Sequence, residues 1–358
     1  MSRKRVVILG SNVAGFAAAT ALKEQVASRH DVTVISRVDQ FVFPPSLTRI
    51  PLGARLAPQA VFSLRDRFAA RGIAFRHEGA LRLDLPRRRV VTPTTEERYD
   101  FLVIATGAKP NYGAVPGLGP RGYTQSILTL AEAEQARSRL EAFVKAPGPV
   151  VIGDVQGSSL RGRAYEFLLN LALALEQRGL SAVAPLTHLT SGPALGSGRF
   201  EVIANATVAE IVPNQIHLTD GRKLPFAYSV LAPSFLGVDV VRACEAITNA
   251  AGFVQVNAFH HTEAYPEIFA AGAAVADGPI EQSGELAERA ALQVARNIVA
   301  RINGEPMPAD PPLPVDVRAA LQPERAIASD AGWLVPGADA TWARLAFERY
   351  FAAALQPV

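Results

Sequence analysis

The stretch RVVILGSNVAGFAAATALKEQVASRHDVTVIS, residues Arg5–Ser36, decides how the rest of the chain is read. Arg5 to Leu9 is a β-branched, apolar run of the kind found in strands buried on both faces of a parallel sheet. Gly10 follows at once. Asn12 to Val26 is Ala-rich and reads as a helix, and Asp31 to Ser36 returns to strand composition. Strand, glycine turn, helix and strand make a βαβ unit, with GSNVAG (Gly10 to Gly15) as its turn. Gly10 permits the tight turn, and Gly15 lets the helix lie close to the strand. A pyrophosphate fits at such a helix N-terminus, where unpaired N–H groups and the helix dipole favour an anion. Gly10, Ser11, Asn12, Ala14 and Gly15 are therefore candidate dinucleotide contacts. Two departures weaken the pattern. The middle glycine is Asn12, whose Cβ crowds the phosphate's approach. Ser36 and Arg37 stand where an acid usually holds a ribose hydroxyl. Ser36 can hydrogen-bond a ribose, and Arg37 can stack on adenine or meet a phosphate. Alone, the turn leaves open both a nucleotide site and a βαβ unit that only looks like one.

Two later segments carry the argument further. YDFLVIATGAKP, Tyr99 to Pro110, ends a predicted strand at Ala105, Thr106 and Gly107. YPEIFAAGAAVA, Tyr265 to Ala276, places a strand over Ile268 to Ala271, before Gly272 and Ala273. Their order and spacing resemble those of flavoproteins with two dinucleotide folds. There the ATG strand end lies near the flavin's pyrophosphate, and the late glycine brings backbone to the ribityl chain. Glycine exposes N–H groups and removes the side chain that would block the ligand. The acid usual after that late glycine is replaced by Ala273. FAD is the expected cofactor.

A second unit lies between these segments. Gly148 to Gly153 (GPVVIG) reads as a strand, Arg161 to Gly179 as a helix, and Ala182 to Thr190 as a further strand. Its turn, GDVQGSS, keeps only Gly153 and Gly157, and Asp154 adds negative charge where a phosphate would sit. No pyridine nucleotide is expected there. The fold class is thus α/β, with two Rossmann-like dinucleotide-binding domains in three layers and a short C-terminal helical segment.

Composition fits a chain of 358 residues with 49% hydrophobic residues, enough for two cores. The net charge of +3, with its basic residues scattered, gives no nucleic-acid footprint. A single cysteine, Cys244, excludes an internal disulfide framework and any all-cysteine metal site. It falls in a predicted helix, DVVRACEAI, as a small buried hydrophobe. His260 and His261 are read as neighbours on a strand pointing to opposite faces, exposed rather than metal-binding. The opening MSRKRVVILG shows no signal-peptide pattern, and no run of about 20 apolar residues would span a membrane. The expected location is cytoplasmic, with peripheral contact to the inner membrane as the alternative.

The residues resemble one family closely. GPVVIGDVQGSSLRGRAYEFLLNLALALEQRGL, FVFPPSLTRIPLG, LPFAYSVLAPSFLGVDVVR, AGFVQVNAFHHTEAYPEIFAAGAAVA and the tail WARLAFERYF are similar to stretches of sulfide:quinone oxidoreductases. The sulfide-dehydrogenase flavoproteins paired with cytochromes share the pattern. The resemblance runs from Val6 to Phe351. It implies an FAD-binding domain made of 1–110 and 248–310, a second Rossmann-like domain over 111–247, and a C-terminal segment, 311–358, near flavin and membrane. It also adds Pro45, in FVFPPSLTRIPLG, to the cofactor contacts, and a quinone or cytochrome as electron acceptor.

The departures from that family concern its chemistry. The family oxidises sulfide with redox cysteines beside the flavin. Leu128, in SILTLAEAEQA, stands in one cysteine's place, and Leu160, in QGSSLRGRAYEF, in a second's. The stretch that carries the third is cut to DGPIEQSGE. Leucine forms no thiolate, persulfide or flavin adduct. Tyr165, Glu166 and Phe167 keep the family's YEF. Glu166 reads either as a base with a raised pKa in an apolar helix or as a solvated or capping carboxylate. Ser283 and Gly284 lead directly into the late helix, whose N-terminus would face the flavin. Phe347, Tyr350, Phe351 and Leu355 recur at helical spacing, with Trp342 nearby, and suit a quinone pocket, a membrane interface or packing on the core. Three functions remain open: an FAD oxidoreductase with a changed donor, a non-catalytic flavin-binding or apo scaffold, and a relay to a partner protein. The sequence specifies neither donor nor oligomeric state.

Overall fold

Val6, Val7, Ile8 and Leu9 are all buried, and this two-sided burial sets the first strand at the centre of a parallel sheet. The computed structural model describes residues 2–194, 200–276 and 284–310. In chain order the first unit runs β1 (Arg5–Leu9), α1 (Val13–Val26), β2 (Asp31–Ser36), β3 (Ala74–His77) and β4 (Phe101–Ile104). The chain then leaves through β5 (Ala108–Pro110). The second unit comprises α2 (Leu130–Lys145), β6 (Val150–Asp154), α3 (Arg161–Gln177), β7 (Leu186–Leu189), β8 (Glu201–Ile203) and β9 (Tyr228–Ala232). The chain returns through β10 (Phe235–Gly237) to β11 (Ile268–Ala270) and α4 (Gly284–Asn303).

The first sheet has the order β11-β4-β1-β2-β3 and is parallel throughout. Its two faces follow the period of two. Val6 and Ile8 point into a cluster with Ala18 and Leu22 of α1 and Val294 and Ile298 of α4. Val7 and Leu9 point the other way, toward Tyr99, Val241, Cys244 and Ile247. Helices α1 and α4 pack along one another. Asn12 caps α1, its side chain accepting from the Val13 N–H at 3.0 Å.

The second sheet, β8-β7-β6-β9, is also parallel. α3 covers it with Tyr165, Phe167, Leu168, Leu171 and Leu175. α2 opens on a capping box formed by Thr129 and Glu132. The connectors β5 and β10 pair antiparallel, Ala108 opposite Gly237. The expected α/β fold class with two Rossmann-like units holds; the expected C-terminal helical segment, 311–358, lies outside the described residues.

Three local expectations are corrected. The strand expected from Ala182 starts only at Leu186. Val183 and Ala184 turn back to donate to the Leu180 carbonyl, and Pro185 has no N–H for the ladder. The helix expected over DVVRACEAI is one turn, Asp239–Arg242, followed by a 3₁₀ turn, Glu245–Ile247. Val241, Cys244 and Ile247 are three residues apart and all buried in one cluster, a spacing that three residues per turn serves better than 3.6. His260 and His261 are not exposed strand neighbours. They sit half-buried at a bend, His260 with φ +61° and His261 between Phe259 and Phe269.

His188 on β7 supplies a test of the second core. It is fully buried against Tyr165 (ring centroids 4.8 Å apart), and neither ring nitrogen has a hydrogen-bond partner. Burial lowers its pKa from 6.5 to about 4. Below pH 6.5 the unfolded chain therefore takes up a proton that the folded chain refuses until about pH 4. This contribution to stability is complete above pH 6.5 and is lost as the pH falls through that window. His188→Phe should abolish a component of about 3 kcal/mol at most. Urea denaturation of both proteins near pH 7 and near pH 4 checks this, and parallel losses in the two would refute it.

Candidate functional site

The site forms where β1, β4 and β11 end against the N-termini of α1 and α4. Gly10 takes φ +101° and donates to the Ile35 carbonyl at 2.9 Å. A Cβ there would strike the Ala105 carbonyl, and one at Gly15 would strike the Gly10 carbonyl. Strand, strand and helix thus meet backbone to backbone. Gly272, at φ +68°, is wedged between Ala14 of α1 and Ala287 of α4; a Cβ would lie 2.9 Å from the first and 3.5 Å from the second. Ala273 follows half-buried.

Two features of this junction fit a dinucleotide. The Thr106 hydroxyl oxygen is buried and has no hydrogen-bond partner. Gly107, at φ +69°, faces open space where a Cβ would be. An orphaned hydroxyl, bare backbone and two converging helix N-termini form a cradle for a phosphorylated ligand. Ala105, buried, closes its floor.

Elsewhere the structure revises the expected roles. Ser36 is buried, its hydroxyl accepting from the Ser11 hydroxyl at 2.8 Å and the Val38 N–H at 3.2 Å, so it braces the turn. Its inward turn follows from β2, which is buried from Val32 to Ser36. Asn12 is exposed, and its carbonyl occupies the Val13 N–H, so its effect on an anion is electrostatic as well as steric. Arg37 is exposed, and its stem lies over Gly79, where a Cβ would come 2.7 Å from its Cγ and Cδ. The loop after β3 therefore packs against the residue that follows β2. The sequence reading missed it; its signal is a glycine following the third strand of a doubly wound sheet.

Pro45 lies in the one-turn helix Pro44–Ser46. The segment it opens bridges the two units: Leu47 and Ile50 pack on Ala133 and Leu130 of α2, and Leu52 joins the core beneath α3 with Ile127. Leu128 is half-buried beside this bridge, its N–H donating to Glu132 at 3.2 Å. Glu132 also accepts from the Tyr112 and Ser126 hydroxyls, both at 2.9 Å, and from the Thr129 N–H. It fixes the Leu128 segment; the sequence reading missed it, its one signal being the Thr129-x-x-Glu132 spacing of a capping box. Burial raises the pKa of Tyr112, keeping it a neutral donor.

Leu160 is buried at the N-cap of α3 and offers no capping oxygen. Glu166 is half-buried on α3 between buried Tyr165 and Phe167. Asp154 does not face a phosphate position. It is 1% exposed and accepts from the Ser191 N–H and hydroxyl at 3.1 and 2.6 Å. Cys244 lies on the opposite face of the first sheet from α1 and α4; its thiol meets the Val240 carbonyl at 3.6 Å, and burial raises its pKa. It is the small buried residue expected, without thiolate character. Ser283, most of DGPIEQSGE, Trp342, Phe347, Tyr350, Phe351 and Leu355 lie outside the described residues.

Residues 4–153 match the family model described as pyridine nucleotide-disulphide oxidoreductase. The sulfide-quinone reductase of Aquifex aeolicus (strain VF5) is 31% identical over 338 residues, covering 85% of this chain and 78% of that protein. The chain belongs to the sulfide-quinone reductase family. The X-ray structure of the sulfide:quinone oxidoreductase from Aquifex aeolicus aligns with a TM-score of 0.85 and 28% identity, over 98% of this chain and 91% of that one. The type II NADH:quinone oxidoreductase of Mycobacterium tuberculosis (strain H37Rv) is 26% identical over 355 residues, 84% of this chain and 73% of its own. FAD is the cofactor of these flavoproteins, and the cradle described above fits it.

Gly15→Val drives a branched side chain into the Gly10 carbonyl. The variant should purify without FAD while the native protein keeps it, as read from the ratio of flavin absorbance to protein absorbance. Full retention would remove the βαβ turn as the cofactor's site.

Proposed function

We propose that the chain is an FAD-dependent oxidoreductase that passes electrons from a donor other than enzyme-bound sulfur to a quinone or a protein carrier. One observation carries the reading. The glycines Gly10, Gly15, Gly107 and Gly272 keep a cradle open, while Leu128 and Leu160 stand where the family resemblance puts redox sulfur and Cys244 is buried beneath the opposite face of the sheet. Both named relatives act on quinones according to their names, which favours a quinone acceptor.

FAD bound there would supply a two-electron centre able to accept hydride and release electrons onward. The protein's own part is positional and electrostatic. Gly10, Gly15, Gly107 and Gly272 keep side chains out of the ligand's path. Ser11, Ala14 and Thr106 place N–H and hydroxyl groups along it. The α4 N-terminus favours negative charge on the ligand's reactive end. Glu166 is the group assigned to move a proton on the α3 side.

We divide the chain into an FAD-binding domain, 1–110 and 248–310, a second Rossmann-like domain, 111–247, and a C-terminal segment, 311–358. The packing of Val241, Cys244 and Ile247 under the first sheet moves the return boundary from 248 back to β10, so that these residues fall in the FAD-binding domain. No helix among the described residues is long and apolar enough to cross a membrane. Any peripheral membrane contact is assigned to the C-terminal segment on the sequence spacing of Phe347, Tyr350, Phe351 and Leu355.

A second reading, a scaffold acting by association, is favoured by Asn12, which takes an N–H that a phosphate would use. Colour separates the two. Purified protein should show flavin bands, release FAD identified by mass, and after photoreduction be reoxidised by a soluble quinone. Sulfide should leave those bands unbleached. Colourless protein that refuses added FAD would support the scaffold, and rapid bleaching by sulfide would sink the changed-donor reading. Leu128→Cys/Leu160→Cys should still lack sulfide:quinone turnover; measurable turnover would show that no third sulfur is needed.

A further inference from the structure

In a doubly wound sheet a dinucleotide lies outside the carboxyl ends of the strands, at the point where strand order reverses. In the second sheet that point is the end of β6, between β7 and β9. The nucleotide's ribose would rest over the end of β7, at Thr190 to Gly192. The chain fills this place with one of its own side chains. Arg161, the first residue of α3, folds back over β7. Its Nε donates to the Thr190 hydroxyl at 3.2 Å and its Nη2 to the Pro193 carbonyl at 2.6 Å. The guanidinium carbon lies 2.5 Å from where a Cβ on Gly192 would be, so only glycine admits it. Beneath it sits Asp154, 1% exposed, its second carboxylate oxygen held by Ser191 and its Oδ1 4.0 Å from the Arg161 Nε. That Oδ1 has no hydrogen-bond partner.

We propose that Arg161 is a built-in plug of the second dinucleotide crevice and the residue that makes this chain refuse NADH and NADPH as electron donors. Two of its three guanidinium nitrogens are committed to protein oxygens, so it does not offer its fork to a phosphate. A nucleotide would have to break both bonds and would leave Asp154 without its nearest cation. The turn that would cradle the pyrophosphate is also altered, since α3 begins at Arg161, four residues after Gly157. The plug separates this chain from a relative named for NADH without any change of fold. It does not depend on whether FAD is bound.

The test uses the full chain and ADP-ribose, a redox-inert probe of the crevice, titrated by calorimetry. With FAD saturating the first cradle in every sample, native protein should show no saturable binding. Arg161→Ala should bind at least roughly tenfold tighter than native, or about 1.4 kcal/mol. Arg161→Lys keeps a cation near Asp154 but cannot reach Thr190 and Pro193 together, and should gain less. Native protein that binds ADP-ribose as tightly as Arg161→Ala overturns the plug. So does a folded Arg161→Ala, with native melting temperature, that binds no better than native. Should Arg161→Ala fail to fold, a folded Arg161→Lys with unchanged affinity overturns it equally.

Discussion

The structure of the first unit depends on one contact, the backbone-to-backbone approach of β1, β4 and α1 around Gly10. The Gly10 carbonyl fills the space a Gly15 Cβ would need, and the Ala105 carbonyl fills the space a Gly10 Cβ would need. Because neither position has a side chain, α1 starts directly above the strand ends, and its free N–H groups open on the cradle. Gly272 repeats the device with small partners, Ala14 and Ala287, which brings α4 to the same point. Closeness of backbone, more than any charged side chain, makes this region a ligand site.

The positions where the family resemblance places redox sulfur show a different economy. Leu128 and Leu160 are not loose replacements. Leu160 is buried at the start of α3, and the Leu128 segment is held by Glu132, which gathers two hydroxyls and two N–H groups. The bridge from Leu47 to Leu52 packs onto the same part of α2 and the core beneath α3. The framework that would position reactive sulfur is thus built in apolar side chains and ordinary hydrogen bonds.

Most of the fold was legible because buried parallel strands announce themselves. Val6 to Leu9, Phe101 to Ile104 and Ile268 to Ala270 are short apolar runs that end at or just before glycine, and each became a strand of the first sheet. The failures came where tertiary packing overrides local pattern. Pro185 delays β7, and Val241, Cys244 and Ile247 shorten a predicted helix so that three residues can share one face. At the site the glycines were readable, since their necessity is steric. The orientation of Ser36, the cap made by Asn12 and the approach of Arg37 to Gly79 were not. Each depends on which way a polar side chain turns, and that is decided by neighbours far away in sequence.

The antiparallel pair of β5 and β10 bears on how such a molecule can be assembled. The chain leaves the first unit through Ala108 and comes back through Gly237, and these two residues are partners across the ribbon. Everything between them hangs from two adjacent points. To the first sheet, the whole second unit is topologically a long loop whose ends already touch, so its size and content impose no strain on the strands that hold the cofactor. A unit attached in this way can change its contents without rethreading the half that holds the cofactor, provided it keeps the face on which the Leu47 to Leu52 bridge packs.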